Sequence, residues 1–165
     1  MCFWKNLAKF VGMKQSIDFL PERKQRDLHE LVGLIRNEVE DVVMIILYGS
    51  YARNTYVELD IRRDYGGGKI QYMSDYDILV VSKKRLGSRT VTVSSRVKSS
   101  FLKNKNANTQ TRPSIINESI TKFNNALSEG RYFYVDILTE GIVLYDSGEC
   151  QLATPVSYTH LRAHE

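Results

Sequence analysis

Apolar residues recur at Leu28, Leu31, Val32, Ile35 and Val39, the spacing that lays one buried stripe along a helix running from about Glu22 to Glu40. Pro21 suits the first helical position, where its missing N–H costs nothing, and His29 falls beside the stripe as a surface or boundary residue. Val42 to Tyr48 is continuously apolar and rich in β-branched side chains, so it predicts a strand covered on both faces. That run ends at Gly49-Ser50, and Tyr51 to Tyr56 reads as a helical turn. Glu58 to Tyr72 carries alternating residues around Gly66-Gly67-Gly68, which predicts a hairpin with a flexible tip, and Asp77 to Ser82 predicts a second strand.

Farther along, Val97, Phe101 and Leu102 mark one side of a helix starting near Ser94, and Asn104 to Thr111 is a polar loop. Ile115, Ile116, Ile120, Phe123 and Leu127 read as a helical stripe over Ser114 to Leu127, stopped by Gly130. Arg131 to Leu138 predicts a third strand, and after a turn at Glu140-Gly141, Ile142 to Tyr145 pairs back as a fourth. The expected class is α/β (α+β), a small mixed sheet with helices packed on one face.

Composition narrows the class without changing it. With 165 residues, 42% hydrophobic and 25% charged, the chain supports one ordinary globular domain. We divide it into an N-terminal extension (1–20), a folded body (21–149) and a tail (150–165). The segment from Gln151 to Glu165 resembles translated sequencing adapter, so the tail is expected to be non-native and loosely packed, with a C-terminal domain lost beyond it. Met1 to Val11 reads as a short frayed helix, lacking the apolar core and cleavage site of a secretory signal. No run approaches a bilayer span, and the expectation is a cytoplasmic protein without membrane contact. Cys2 and Cys150 lack metal-ligand spacing and read as free thiols. His29, His160 and His164 do not cluster with carboxylates, which argues against histidine catalysis.

The formal net charge of +4 is unevenly spread. No acidic residue lies between Asp77 and Glu118, where Lys83, Lys84, Arg85, Arg89, Arg96, Lys98, Lys103, Lys105 and Arg112 all fall. Such a segment is either a solvated loop and helix face or an electropositive rim for a triphosphate or RNA.

The sharpest chemical signal is Asp75-Tyr76-Asp77 at the head of an apolar strand. Alternation places both carboxylates on one face and Tyr76 on the other. Like charges that close repel, and a hard divalent cation such as Mg²⁺ relieves them through its preference for oxygen ligands. Asp136, amid Tyr134, Val135, Ile137 and Leu138, is a carboxylate on a strand that otherwise wants a core. It reads either as an edge residue facing solvent or as a third member of an oxygen cage.

In this order, the apolar strand, Gly49-Ser50, Tyr51-Ala52-Arg53, Asp75-x-Asp77 and Asp136 resemble the nucleotidyltransferase superfamily typified by DNA polymerase beta. The likeness spans about Pro21 to Tyr145. It is nearest to the minimal nucleotidyltransferases of prokaryotes that occur beside or fused to a helical HEPN domain. The resemblance implies two Mg²⁺ ions held by Asp75 and Asp77, with Asp136 on the catalytic one and assisting deprotonation. ATP would be the substrate, AMP the group transferred to a hydroxyl, and pyrophosphate the leaving group. Gly49 would allow close approach, Ser50 would contact the β- or γ-phosphate, and Arg53 would either reach phosphate or stay structural.

Three features depart from the family pattern. Asn54 stands where glycine is frequent, the Ser50–Asp75 gap is long, and the tail is foreign. The long gap holds the hairpin, whose Asp60 and Asp64 are expected in solvent and which could serve as a lid or an acceptor dock. The rival readings are an antitoxin-like binding module that occludes a HEPN-domain partner and a nucleotidyltransferase acting on an RNA acceptor.

Overall fold

A computed structural model describes residues 12–155. Helix α1 (Glu22–Glu38) buries Leu28, Leu31 and Ile35 as the periodicity predicts, and the same stripe carries Lys24 and Asp27 into the interior one turn earlier. Strand β1 (Val42–Tyr48) follows, then the single helical turn α2 (Gly49–Ala52). Strands β2 (Asp60–Arg63) and β3 (Lys69–Tyr72) form a separate antiparallel hairpin. Strand β4 (Tyr76–Ser82), helix α3 (Arg89–Leu102), strand β5 (Pro113–Ser119), helices α4 (Ile120–Ser128) and α5 (Tyr132–Glu140), and strand β6 (Ile142–Asp146) complete the order.

The main sheet runs β5-β4-β1-β6 and is mixed, as expected. β1 is antiparallel to both β4 and β6, while β5 lies parallel to β4. Its helices, however, cover both faces rather than one. On one side Leu28, Leu31 and Ile35 of α1 and Val97 and Phe101 of α3 meet Ile45, Leu47, Ile78 and Val80. On the other, Phe123 and Leu127 of α4 and Ile137 and Leu138 of α5 meet Met44, Ile46, Leu79 and Val81. Each such side chain gains about 1.5–3 kcal/mol on full burial, so β1 and β4, apolar on both faces, form the centre of the molecule.

Two element assignments are corrected. Pro113 to Ser119 is a strand, not the start of a helix: Ser114, Ile115 and Ile116 pair with Asp77, Ile78 and Leu79. The helical stripe begins only at Ile120, where the Ser119 hydroxyl caps the Lys122 N–H. The expected strand Arg131 to Leu138 is helical from Tyr132 on, because packing of Ile137 and Leu138 under the sheet overrides the β-propensity of Tyr-Phe-Tyr-Val. β6 therefore pairs with β1, not with the segment before it.

The hairpin stands off the sheet. Asp64 builds its tip by accepting the Gly66 and Gly68 N–H groups at 2.9 and 2.8 Å. At its neck, the Val57 N–H donates to the Ser74 hydroxyl and the Ser74 N–H to the Val57 carbonyl, both at 2.9 Å. Asp60 pairs with Arg62, so neither hairpin aspartate joins Asp75 and Asp77.

Part of the expected loose tail is fastened, since Asn124 bonds the Gln151 carbonyl and the Ala153 N–H, both at 2.8 Å. Cys150 is a free thiol. The expected N-terminal helix, Cys2, His160 and His164 lie outside the described residues. No described helix is long and apolar enough to cross a membrane.

Candidate active site

β4 delivers Asp77 beside Tyr48 of β1 on one flank and Ser114 of β5 on the other. Asp75 is exposed just ahead of the strand, Asp77 is half-buried, and Tyr76 between them is fully buried on the opposite face. Strand alternation thus does what the sequence requires: it turns two carboxylates outward together and an aromatic ring inward.

Gly49 explains how Asp77 fits. Its φ of +71° is left-handed, and a β-carbon there would collide with the Asp77 carboxylate. The missing side chain is what lets a carboxylate lie against the backbone at the end of β1. Burial first, and then the charge of Asp75, raise the Asp77 pKa above the usual carboxylate range, with Arg53 opposing. Tyr48 responds to the same surroundings, its hydroxyl pushed up to about 12 by burial and by Asp77. At Asp77, Arg53 offsets these effects only in part.

Asp136 is placed differently from expectation. It sits on α5, on the side of the sheet that Asp77 faces, and its carboxyl lies 3.9 Å from Arg53 Nη1. The same nitrogen is 3.2 Å from Glu140, one helical turn on. Arg53 is therefore held by two carboxylates of α5 while its charge also reaches Asp77. Among the described residues no three His, Cys, Asp or Glu side chains are grouped to hold a metal, so the expected three-carboxylate cage is not formed. Asp136 comes from a helix rather than from a neighbouring strand, and its carboxyl lies by Arg53. Two carboxylates still fit Mg²⁺, which keeps several waters and takes its remaining oxygens from phosphate.

Asn54 adopts φ +58° and closes the turn after Arg53 in the conformation glycine prefers, which asparagine tolerates better than most residues. The Ser50 carbonyl accepts the Thr55 N–H at 2.9 Å, fixing the same turn.

Beneath the site lies a polar network that the sequence reading missed. Lys24, 2% exposed, donates to the Thr111 hydroxyl at 2.6 Å, and its ammonium lies 5.3 Å from the Tyr51 ring centre and 5.7 Å from that of Tyr76. Tyr76 donates to Asp27 at 2.9 Å, and Gln110 donates to the same oxygen at 2.8 Å. Burial lowers the Lys24 pKa. These bonds tie α1, the Gly-Ser turn, the head of β4 and the loop before β5 into one unit. The available signal was spacing: Lys24, Asp27, Leu28 and Leu31 share one helical face.

The basic segment divides. Lys83, Arg85, Arg96 and Lys105 pair with Glu149, Glu118, Glu38 and Glu30, whereas Lys84, Arg89, Lys98, Lys103 and Arg112 make no ion pair among the described residues. His29 is exposed, as expected.

No family model matches the chain, and no curated protein matches it. A crystal structure of a candidate nucleotidyltransferase from Sulfolobus solfataricus aligns with a TM-score of 0.41 at 16% identity, over 79% of this chain and 90% of that one. The likeness is too loose to transfer a residue role.

Proposed function

We propose that the chain is a Mg²⁺-dependent nucleotidyltransferase that moves a nucleoside monophosphate, AMP from ATP, onto a hydroxyl acceptor. The observation that carries this reading is the Asp77 carboxylate seated against Gly49, its pKa raised by burial and by the charge of Asp75 despite the opposing charge of Arg53. Supporting it are the order Gly49-Ser50, Arg53, Asp75-x-Asp77 and the placement of all of these at one end of β1 and β4.

Asp75 and Asp77 would hold the metal. When bound, Mg²⁺ would neutralise charge on the phosphates and on the departing pyrophosphate. Gly49 keeps the space that lets Asp77 approach. Ser50 offers its hydroxyl to the β- or γ-phosphate. Arg53, steadied by Asp136 and Glu140, presents a guanidinium to the same phosphates. Asp136 takes the part of a positioning residue for Arg53, in place of the ligand role the resemblance implied. In the reaction the acceptor oxygen bonds to the α-phosphorus as the bond to pyrophosphate breaks, and the hydroxyl proton leaves to a carboxylate at the site.

Incubation with each α-labelled nucleoside triphosphate and Mg²⁺ tests the reading. Label should pass to an acceptor with ATP, and Asp77→Asn should stop it. Transfer that survives this substitution would overturn the mechanism.

A second reading, a binding module for a HEPN-domain partner, is favoured by one observation. The hairpin exposes Leu59, Ile61, Ile70 and Tyr72. Neutralisation of such a partner without ATP would support occlusion, and strict ATP dependence would support modification.

A further inference from the structure

Three hydroxyls surround Asp77, and they are not equivalent. Tyr48 flanks it on β1, Ser50 follows directly after Gly49, and Ser114 flanks it on β5. We propose that Ser114 is itself an acceptor: its Oγ takes the nucleoside monophosphate, so the chain nucleotidylates itself inside its own site. The inference rests on the nucleotidyltransferase reading and adds a limit to that activity, since a nucleotide joined to Ser114 fills the place its successor needs.

Strand geometry is the first argument. Ser114 is the register partner of Asp77 in the parallel pair β4 and β5, so both side chains rise from one face of strands that lie about 4.8 Å apart. Ile116, two residues on, packs on the same side as Leu79 and Val81, whereas Ile115 turns to the other core. Asp77 leans to the β1 flank, against Gly49, which is away from β5.

Elimination is the second. The Tyr48 hydroxyl, pushed up to about 12 by burial and by Asp77, stays protonated and is a poor nucleophile. Ser50 is the proposed contact of the β- or γ-phosphate and so stands on the side where pyrophosphate leaves. An in-line displacement needs its nucleophile opposite, and β4 lies between β1 and β5. Ser114 is half-buried, and its hydroxyl makes no hydrogen bond among the described residues and is not sealed from solvent. It is free to approach phosphorus.

Charge is the third. The Arg112 carbonyl accepts the Tyr76 N–H at 2.8 Å, which continues the ladder, and alternation then turns Arg112 to the face of Ser114. Arg112 is exposed and makes no ion pair among the described residues, so its guanidinium is available to the α-phosphate. Where β5 meets the two aspartates it presents a hydroxyl and a guanidinium, with no third carboxylate.

In the step, Ser114 Oγ bonds to the α-phosphorus as the bond from that phosphorus to the oxygen bridging the β-phosphate breaks. The hydroxyl proton passes to a carboxylate of the aspartate pair, and pyrophosphate leaves. The product is a serine phosphodiester, and nothing is oxidised or reduced.

The chain is incubated with Mg²⁺ and each α-labelled nucleoside triphosphate, alone and with outside hydroxyl acceptors, then weighed intact and mapped by peptide fragmentation. With ATP the mass should rise by one adenylyl group per chain, located on Ser114. The adduct should vanish in Ser114→Ala, form more slowly in Ser114→Thr, which keeps a hydroxyl on a side chain suited to a strand, and be unchanged in Ser95→Ala on the exposed side of α3. An adduct on another residue in place of Ser114, or one that survives Ser114→Ala, overturns the proposal. Label that reaches an outside hydroxyl while Ser114 stays bare sinks the self-modification and keeps the reaction, whereas a chain that neither takes nor passes label sinks both.

Discussion

Asp77 and Asp136 face the same side of one sheet, yet their surroundings are opposite. Asp77 is half-buried, leans on a glycine, has another carboxylate for company and is pushed toward protonation. Asp136 is partly exposed on a helix and shares an arginine with Glu140. A carboxylate already satisfied by protein is part of the scaffold, and one held unsatisfied at a cost is set aside for something that arrives later. The contrast shows why residue type alone could not rank the two aspartates.

The largest expected effect is on turnover. Asp77→Asn should lower nucleotidyl transfer by about a thousandfold or more, the scale of a lost metal ligand, whereas Asp136→Asn should cost only about tenfold, the scale of a disturbed supporting contact. Equal losses in steady-state assays would dissolve the distinction. Next comes Gly49→Ala, which forces a side chain into a left-handed turn and against Asp77. Urea unfolding should register a loss of about 2–4 kcal/mol, and combining it with Asp77→Ala should restore part of that loss.

A smaller effect runs the other way. The folded-state pKa of Asp77 is raised, so its contribution to stability is fully present below the unfolded value and is lost as pH climbs through the folded value. Above that window the ionised group is a burden. Asp77→Asn should therefore stabilise the fold at neutral pH by roughly 0.5–2 kcal/mol, read as a higher melting temperature, and the gain should vanish in acid. Asp136→Asn should show no such gain. The smallest change is Asn54→Gly, which relieves the left-handed turn beside Arg53 and should add about 0.5–1 kcal/mol in thermal unfolding.

Periodicity made α1, β1, β4 and the hairpin readable, and alternation alone placed Asp75 and Asp77 together. The second half of the body was harder. Ile115-Ile116 joins smoothly to the helical stripe of Ile120, Phe123 and Leu127, so the strand-to-helix switch at Ser119 hides inside one apolar pattern. Tyr132 to Val135 consists of residues that favour strands, and the tertiary demand to bury Ile137 and Leu138 while leaving Tyr132 and Phe133 outside makes the segment a helix. Asp136 was misplaced with its element. The Lys24 network was overlooked because a lysine on an apolar stripe looks like a surface residue until the rings that receive it are in view.

The doubly bonded neck at Val57 and Ser74 gives the excursion between them the character of a detachable module. Beyond that clamp Glu58 reaches Lys24 and Gln71 bonds the Asn108 carbonyl, so the part free to be shortened, lengthened or exchanged without retuning β1 or β4 is the outer stretch from Ile61 to Ile70. Diversity of partner or substrate can accumulate there while the strands that carry the two aspartates stay untouched.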